Sequence, residues 1–419
     1  MLHWTGHVQQ SFAASNDAKG ISLYIHLPFC ESLCTYCGCN TRITVNHKVE
    51  EPYIKNVLKE WEIYRRIFAK TPEIREIHLG GGTPTFFSPK NLKMLLEGIL
   101  ENCILKDSAS LSFEAHPANT TKEHLSTLYD LGFRRLSLGI QDFNPEVQLI
   151  INRIQTYEQV ETVCNNARAI GYNSINFDLI YGLPLQSVES IKLTIIKAIE
   201  LKPERIAFYG YAHVPWIKPG QRKYSDKDIP DAELRLKLYA QGKVLLEGVG
   251  YSEIGMDHFA LENDELLIAQ QNGSLHRNFM GYTPFATDLL IGLGVSSISE
   301  SGSAFSQNVK TVEAYNDIIS KGTLPLFKGH VLSKSDLQMR EIILDLMCRF
   351  QSDIPKSLYS RETLEQRLGE MISEGLLSLI ENHISVSEKG KSFIRNICMR
   401  LDPYMEHNDN EKPVFSKTI

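Results

Sequence analysis

Residues 24–40 read YIHLPFCESLCTYCGCN and decide how the rest of the chain is to be read. An apolar run, residues 21–27, ends in a loop carrying Cys30, Cys34 and Cys37 at C-x3-C-x2-C spacing, with Cys39 close behind. With 8 cysteines in 419 residues, three at these fixed offsets arise by chance only about 0.003 times in a chain this long. Three thiolates can hold three irons of a 4Fe–4S cluster and leave the fourth iron open. Structural zinc is the competing reading, but it favours four ligands in two separated pairs. Cys39 follows Cys37 by two positions, too close for both to chelate one centre comfortably, and is given a supporting role. Cys103, Cys164, Cys348 and Cys398 lie in apolar helical contexts and read as core residues.

Outward from this loop, short apolar strands alternate with amphipathic helices. Strands are expected at 21–27, 73–79, 110–114, 135–139, 175–180 and 205–209, and helices at 51–68, 89–100, 122–131, 157–170 and 187–201. Such alternation implies α/β architecture with a parallel sheet and right-handed crossovers. Six units would curve into an open (β/α)6 barrel; a flat doubly wound sheet is the alternative. The stretch 213–325 extends this region less regularly. Beyond it, helical segments 336–350 and 362–374, an alternating stretch 376–386 and a helix 388–397 suggest a smaller, mostly helical, winged-helix-like module. The expected division is a short N-terminal segment (1–20), a catalytic domain (21–325, its core barrel at about 21–212), a C-terminal cap (326–405) and a polar tail (406–419).

Composition narrows the function. A net charge of −6 argues against a general nucleic-acid binder, which is usually basic. An anionic ligand then needs a local basic pocket rather than a global field. No apolar run reaches the ~18–20 residues of a membrane span, and MLHWTGHVQQSF lacks the charged start and apolar core of a secretory signal. A cytoplasmic setting, where thiols stay reduced, is expected.

Polar residues recur where the expected strands end. Gly80, Gly81 and Gly82 lead into Thr83 after the second strand, Glu114 ends the third, Gln141 follows the fourth and Arg153 comes shortly after. Asp178 lies in the fifth, and the sixth leads to Tyr211, Ala212 and His213. Each has an ordinary alternative: Glu114 or Asp178 as a helix cap, Gln141 on a strand-end carbonyl, Arg153 as a solvated helix residue. Their common position is more telling, because barrel active sites gather at the C-terminal ends of the strands.

The strings YIHLPFC, CGCN, GGGTPT, LGIQDFN, NFDLIYGLP, GMDHFA, LHRNFMGY, GLGVSSIS and FIRNICM together resemble the oxygen-independent coproporphyrinogen III oxidase (dehydrogenase) family of the radical S-adenosylmethionine (SAM) superfamily, over residues 21–405. The resemblance implies an open radical-SAM barrel, a 4Fe–4S cluster held by Cys30, Cys34 and Cys37, and two SAM molecules. Tyr24, Gly81, Glu114 and Ile298 match contacts of the cluster-bound SAM, with Tyr24 and Glu114 the catalytic candidates. Tyr36, Gly82, Thr83, Gln141, Arg153, Asp178 and Ala212 match contacts of the second. The implied substrate is coproporphyrinogen III and the implied electron donor a flavodoxin or ferredoxin, with no nucleic acid or membrane partner and a monomeric enzyme. Arg277 and Arg395 are candidate partners for substrate propionates, and His258 and His276 for proton movement. A related haem-binding chaperone or haem-degrading protein is the alternative; Cys39 and the HRNF and RNICM strings speak against the chaperone. Met280 stands where the family has glutamine, and His116 where it has aspartate.

Overall fold

A computed structural model describes residues 3–408. The chain forms two compact units. The first comprises Met1–Leu179, Leu193–Glu204 and Phe285–Val331, the second Ile180–Lys192, Arg205–Pro284 and Leu332–Ile419.

In the first unit a sheet runs in the order Leu326–Val331, Ala304–Asn308, Ile298–Ser301, Leu289–Leu293, Ile21–Leu27, Glu73–Gly81, Ile104–Ala115, Arg135–Gln141, Ser174–Tyr181. The six strands from Leu289–Leu293 to Ser174–Tyr181 are parallel; the other three join antiparallel. Period-two alternation divides the work of each parallel strand. Leu23, Ile25, Ile77, Leu79, Phe113, Leu136, Leu138 and Phe177 are almost wholly buried. The intervening positions are polar, and register places them side by side: Tyr24 opposite His78, His78 opposite Ser112, Glu114 opposite Ser137, Ser137 opposite Asn176. One face of the sheet carries the apolar core and the other a polar lining.

The helices form where local chemistry starts and stops them. Ser88 caps Pro89–Leu100, and Thr121 and Thr156 close capping boxes on Lys122–Asp130 and Tyr157–Ile170. Gly171, left-handed at φ 119°, ends the last of these. The expected strand–helix alternation holds, with most boundaries moved by a residue or two. Two differences are larger. The third strand begins at Ile104 rather than 110, because its largely exposed start, Ile104 and Leu105, pairs with Glu73 and Ile74 ahead of a register shift. The last expected helix breaks into Glu388–Lys391 and Ile394–Leu401. Gly390 lies so close to the Leu376 carbonyl that a Cβ would overlap it, and the chain must turn there to pass.

Residues 4–15 form a helix, Trp4–Ser15, that composition had not suggested. Trp4 donates its indole N–H to the Tyr64 hydroxyl (3.1 Å), and Phe12 stacks on Phe68 at 4.1 Å. In the second unit, Arg205–Gly210, His258–Ala260 and Ser252–Gly255 make an antiparallel group. The C-terminal module has a three-stranded sheet, Gln351–Asp353, His383–Val386, Leu377–Ile380. Its core includes Ile342, Leu346, Leu364, Leu368, Ile384 and Ile397. The expected tail lies, from residue 409, outside the described residues.

A buried carboxyl ties the first unit together. Glu60, fully buried in helix Glu50–Ile67, accepts from Gly294 N–H (2.8 Å), the Tyr315 hydroxyl (2.6 Å) and the Asn308 amide (2.7 Å). Tyr53, about two turns earlier, donates to the His26 carbonyl (2.8 Å) and accepts from Val295 N–H (3.0 Å). Burial pushes the Glu60 pKa from 4.5 to about 7, its hydrogen bonds acting against the shift. The folded chain therefore holds this proton more tightly than the unfolded one. The resulting stability is fully present below pH 4.5 and is lost as pH rises through about 7, on the order of 3 kcal/mol in all. Glu60→Gln should abolish that dependence: between pH 5.5 and 8 the urea midpoint of the parent should fall further than that of the variant. Equal slopes would refute the assignment.

Candidate functional site

The cysteine loop leaves the sheet at Leu27 and is held by its backbone. Gly82 N–H donates to Leu27 O (2.8 Å), Thr83 N–H to Phe29 O (3.0 Å), Arg42 N–H to Pro28 O (2.7 Å) and Thr44 N–H to Cys30 O (2.9 Å). Its middle is pinned by Thr35, whose N–H donates to Ile151 O (2.9 Å), and by the Asn152 amide on Leu33 O (2.8 Å). Its end is held by His26. The Asn40 carbonyl can only accept, so His26 Nε2 donates to it (2.9 Å), leaving Nδ1 to accept from the Tyr24 hydroxyl (3.1 Å). Burial lowers the His26 pKa, which agrees with a neutral ring.

These bonds use main-chain groups and leave the thiols of Cys30, Cys34 and Cys37 to one another's fields. Cys30 Sγ lies 3.3 Å from Thr83 Oγ1, Arg153 Nη1 lies 3.7 Å from Cys34 Sγ, and Cys37 shares a hydrogen bond with the exposed Cys39. Burial pushes the Cys30 thiol up to about 11, against the Thr83 bond. It is thus a thiol until a metal draws off the proton. Among the described residues no three His, Cys, Asp or Glu converge on a single ion, and the corners of a four-iron cube lie too far apart to require it. Cys164, Cys348 and Cys398 are buried as expected; Cys103 is only partly so.

The glycine turn explains its own composition. A Cβ on Gly82 would stand 2.6 Å from Pro28 C and 2.8 Å from Phe29 O. A Cβ on Gly81, at φ 113°, would stand 2.7 Å from the His26 ring, and one on Gly80 about 3 Å from Tyr24 and Glu114. Only glycine lets the second strand end flush against the loop.

Glu114 is not a helix cap. It accepts from Gly81 N–H (3.2 Å) and lies 3.4 Å from His78 Nε2. Burial would raise its pKa, but the His78 bond and charge hold it below its ordinary value. Asp178 caps no helix either: Ser137 Oγ (3.1 Å) and Asn176 Nδ2 (2.8 Å) donate to it. Burial, and then the Glu114 charge, push Asp178 to about 7. Arg153 is not a solvated helix residue. It folds back to donate through Nε (3.1 Å) and Nη2 to Gly139 O, with Tyr36 in its field. Gln141 is buried and left-handed at φ 66°, a strained backbone for a side chain with a Cβ. Ile298 opens its strand with its carbonyl against Gly292. Ala212 lies in the second unit, its carbonyl accepting from Gln221 (3.1 Å). His116 does the work of an aspartate cap, Nδ1 accepting from Ala118 N–H (3.1 Å), and Met280 sits in the turn after Asn278, its N–H on Asn278 Oδ1 (2.8 Å).

Sequence reasoning missed His26, His78, Ser137, Asn176 and the Glu60 group. The first four had a signal: polar residues at every second position of otherwise apolar strands. Glu60 had none, being one acid among several on an amphipathic helix.

The model of the radical SAM superfamily matches residues 24–197. The oxygen-independent coproporphyrinogen III oxidase of Salmonella typhimurium is 39% identical over 96% of this chain and 89% of its own. The enzyme of that name from Synechocystis sp. is 37% identical over 95% and 88%. This chain belongs to the oxygen-independent coproporphyrinogen III oxidase family. The solved coproporphyrinogen III oxidase of Escherichia coli (HemN), described as a radical SAM enzyme, superposes with a TM-score of 0.89 at 36% identity, covering 96% of this chain and 94% of that one. The α/β fold expected from the strand–helix alternation is therefore the radical SAM fold, with a mostly helical C-terminal region. Membership brings the 4Fe–4S cluster and SAM, and the residues fit both. The thiols are grouped and free of backbone duty, Thr83 at the end of the glycine turn reaches Cys30, and the half-buried carboxyls of Glu114 and Asp178 lie among polar neighbours.

Gly82→Ala should push the loop entry off its backbone bonds, a strain of about 2–3 kcal/mol. Iron and sulfide per chain after anaerobic reconstitution should drop several-fold with far-ultraviolet circular dichroism unchanged. Gly6→Ala, with nothing within 4 Å, is the control; full loading of the Gly82 variant would contradict the account.

Proposed function

We propose that this protein converts two propionate side chains of coproporphyrinogen III to vinyls, giving protoporphyrinogen IX. The whole-chain likeness to oxygen-independent coproporphyrinogen III oxidases carries the reading, and the three grouped thiols, with Thr83 after the glycine turn on Cys30, support it. Each propionate loses carbon dioxide, one hydrogen atom from the β-carbon and one electron. When bound, the reduced cluster and SAM supply the 5′-deoxyadenosyl radical that takes the hydrogen.

The chain's own residues bind and orient. Cys30, Cys34 and Cys37 hold three irons. Glu114, kept ionised by His78 and Gly81 N–H, accepts from the methionine ammonium of SAM together with Gly81 carbonyl, and Tyr24 and Ile298 flank it. Asp178 suits a ribose diol, since a carboxylate accepts two hydrogen bonds. Arg153 suits a methionine carboxylate. With Tyr36, Gly82, Thr83, Gln141 and Ala212, these two are assigned to a second SAM. A one-electron donor such as a flavodoxin or ferredoxin, a cytoplasmic setting and a monomeric state complete the proposal. So does a division into a catalytic domain (21–325) and a C-terminal cap (326–405). Among the described residues no helix is long and apolar enough to cross a membrane.

Anaerobic incubation with coproporphyrinogen III, dithionite and SAM should yield vinyl products. Their absence with proven cluster loading would favour a haem-handling relative instead. Cys30→Ala, Cys34→Ala and Cys37→Ala should each lose the cluster and all SAM cleavage, while Cys39→Ala should keep the cluster. Retained cleavage in any of the first three would overturn the ligand assignment.

A further inference from the structure

The second unit gathers three guanidiniums that, among the described residues, form no ion pair. Arg235 comes from helix Ala232–Glu247, Arg277 from strand His276–Asn278 and Arg395 from helix Ile394–Leu401. The charges of Arg235 and Arg395 act on the Tyr181 hydroxyl, and those of Arg395 and Arg277 on the Asp257 carboxyl, which also acts on Tyr181. Three guanidiniums thus share one neighbourhood with two carboxyls, Asp257 and Glu253. Asp257 makes no ion pair within 4 Å among the described residues, and the nearby Glu253 is already taken by Lys243 (2.5 Å) and Tyr239 (3.1 Å).

The guanidiniums are anchored but not spent. Arg235 donates Nη2 to Tyr211 O (3.0 Å), Arg277 lies over the Tyr282 ring at 5.5 Å, and Arg395 reaches only the Met256 sulfur at 3.4 Å. Arg235 Nε and Arg277 Nε are buried with no hydrogen-bond partner. A buried guanidinium N–H without an acceptor is rare, because its lost hydration goes unreplaced. Beside Arg235 the chain is stripped of side chains: a Cβ on Gly182 would stand 3.1 Å from its Nε, and one on Gly210 3.4 Å from its Nη2. Unspent Nε and Nη donors on one edge of a guanidinium match the two oxygens of a carboxylate.

We propose that Arg235, Arg277 and Arg395 form a carboxylate subsite that takes propionate side chains of the porphyrinogen, the buried Nε edges of Arg235 and Arg277 each receiving one. This rests on the decarboxylation reading above. It adds the residues by which a tetracarboxylate is told from an uncharged tetrapyrrole.

The test uses the cluster-loaded protein and coproporphyrin III, the oxidised and unreactive form whose fluorescence reports binding, beside its tetramethyl ester. Arg235→Gln, Arg277→Gln and the double variant should each weaken the tetracarboxylate about tenfold or more, and the ester hardly at all. Arg277→Lys should recover part of the loss, and iron content and substrate-free SAM cleavage should stay at the parent level. Unchanged tetracarboxylate affinity in the double variant would overturn the subsite. So would an equal loss for the ester, or a loss of cluster in step with affinity. A parent that binds the tetracarboxylate through these arginines but makes no vinyl product would overturn the decarboxylation reading and leave the subsite standing.

Discussion

A loop whose side chains must bind a cluster has only its backbone left by which to be held. Everything around residues 28–44 answers that constraint. Main-chain bonds to Leu27, Pro28, Phe29 and Cys30 fix the entry, Ile151 and Asn152 the middle, and the His26 ring the end at Asn40. Such bonds are short-ranged and directional, so the loop is only as well placed as the strands that present its partners. Tyr53 spans the gap: it holds the His26 carbonyl on one side and Val295 N–H on the other. The turn beyond Val295 leads to Ile298, and Glu60 fixes that turn through Gly294. One helix, Glu50–Ile67, thus sets both the strand that leads into the cysteine loop and the turn that leads into Ile298.

The polar lining carries a heavier demand. Side chains turned inward from parallel strands leave water, and each must find a partner. Neighbouring strands supply one at the same register or two residues along, Ser112 for His78, His78 for Glu114 and Ser137 for Asp178, and Asn176 serves Asp178 from its own strand. Dry alternatives would pack better, but an apolar lining would offer nothing to the ammonium, carboxylate and hydroxyls of a bound SAM.

The strand–helix alternation was legible because each element obeys its own period: apolar positions two apart in strands, three or four apart in helices. Ile21–Leu27, Pro89–Leu100 and Tyr157–Ile170 fell where expected for that reason. The strands Ile298–Ser301 and Ala304–Asn308 were not legible, since SISES and AFSQN carry serines where a buried strand is read from apolar residues. Those serines are buried and satisfied, Ser299 by Gly292 N–H and Ser301 by Ala304 O. Helix Trp4–Ser15 was hidden for a related reason: it has few caps and depends on Trp4 and Phe12 finding Tyr64 and Phe68, contacts no local pattern encodes. At the site, the cysteines, glycines and strand-end acids were legible individually. What they touch was not, because Glu114 to Gly81 depends on register between two strands and Arg153 to Gly139 on a loop folding back over the strand it follows.

The two units leave opposite charges unmatched. In the first, Asp178 has only neutral donors for partners, and its pKa of about 7 measures how little the chain alone does to hold its charge. In the second, guanidinium Nε groups lie buried without acceptors near Asp257, which makes no ion pair among the described residues. A chain of net charge −6 does not produce this by composition. Unpaired buried charge lowers stability wherever it stands and persists where a partner of the opposite sign arrives from outside. SAM brings a sulfonium and an ammonium; the porphyrinogen brings four carboxylates. On the proposed reading, Glu114 and Asp178 in the first unit and the guanidiniums in the second each meet a group that their own ligand brings.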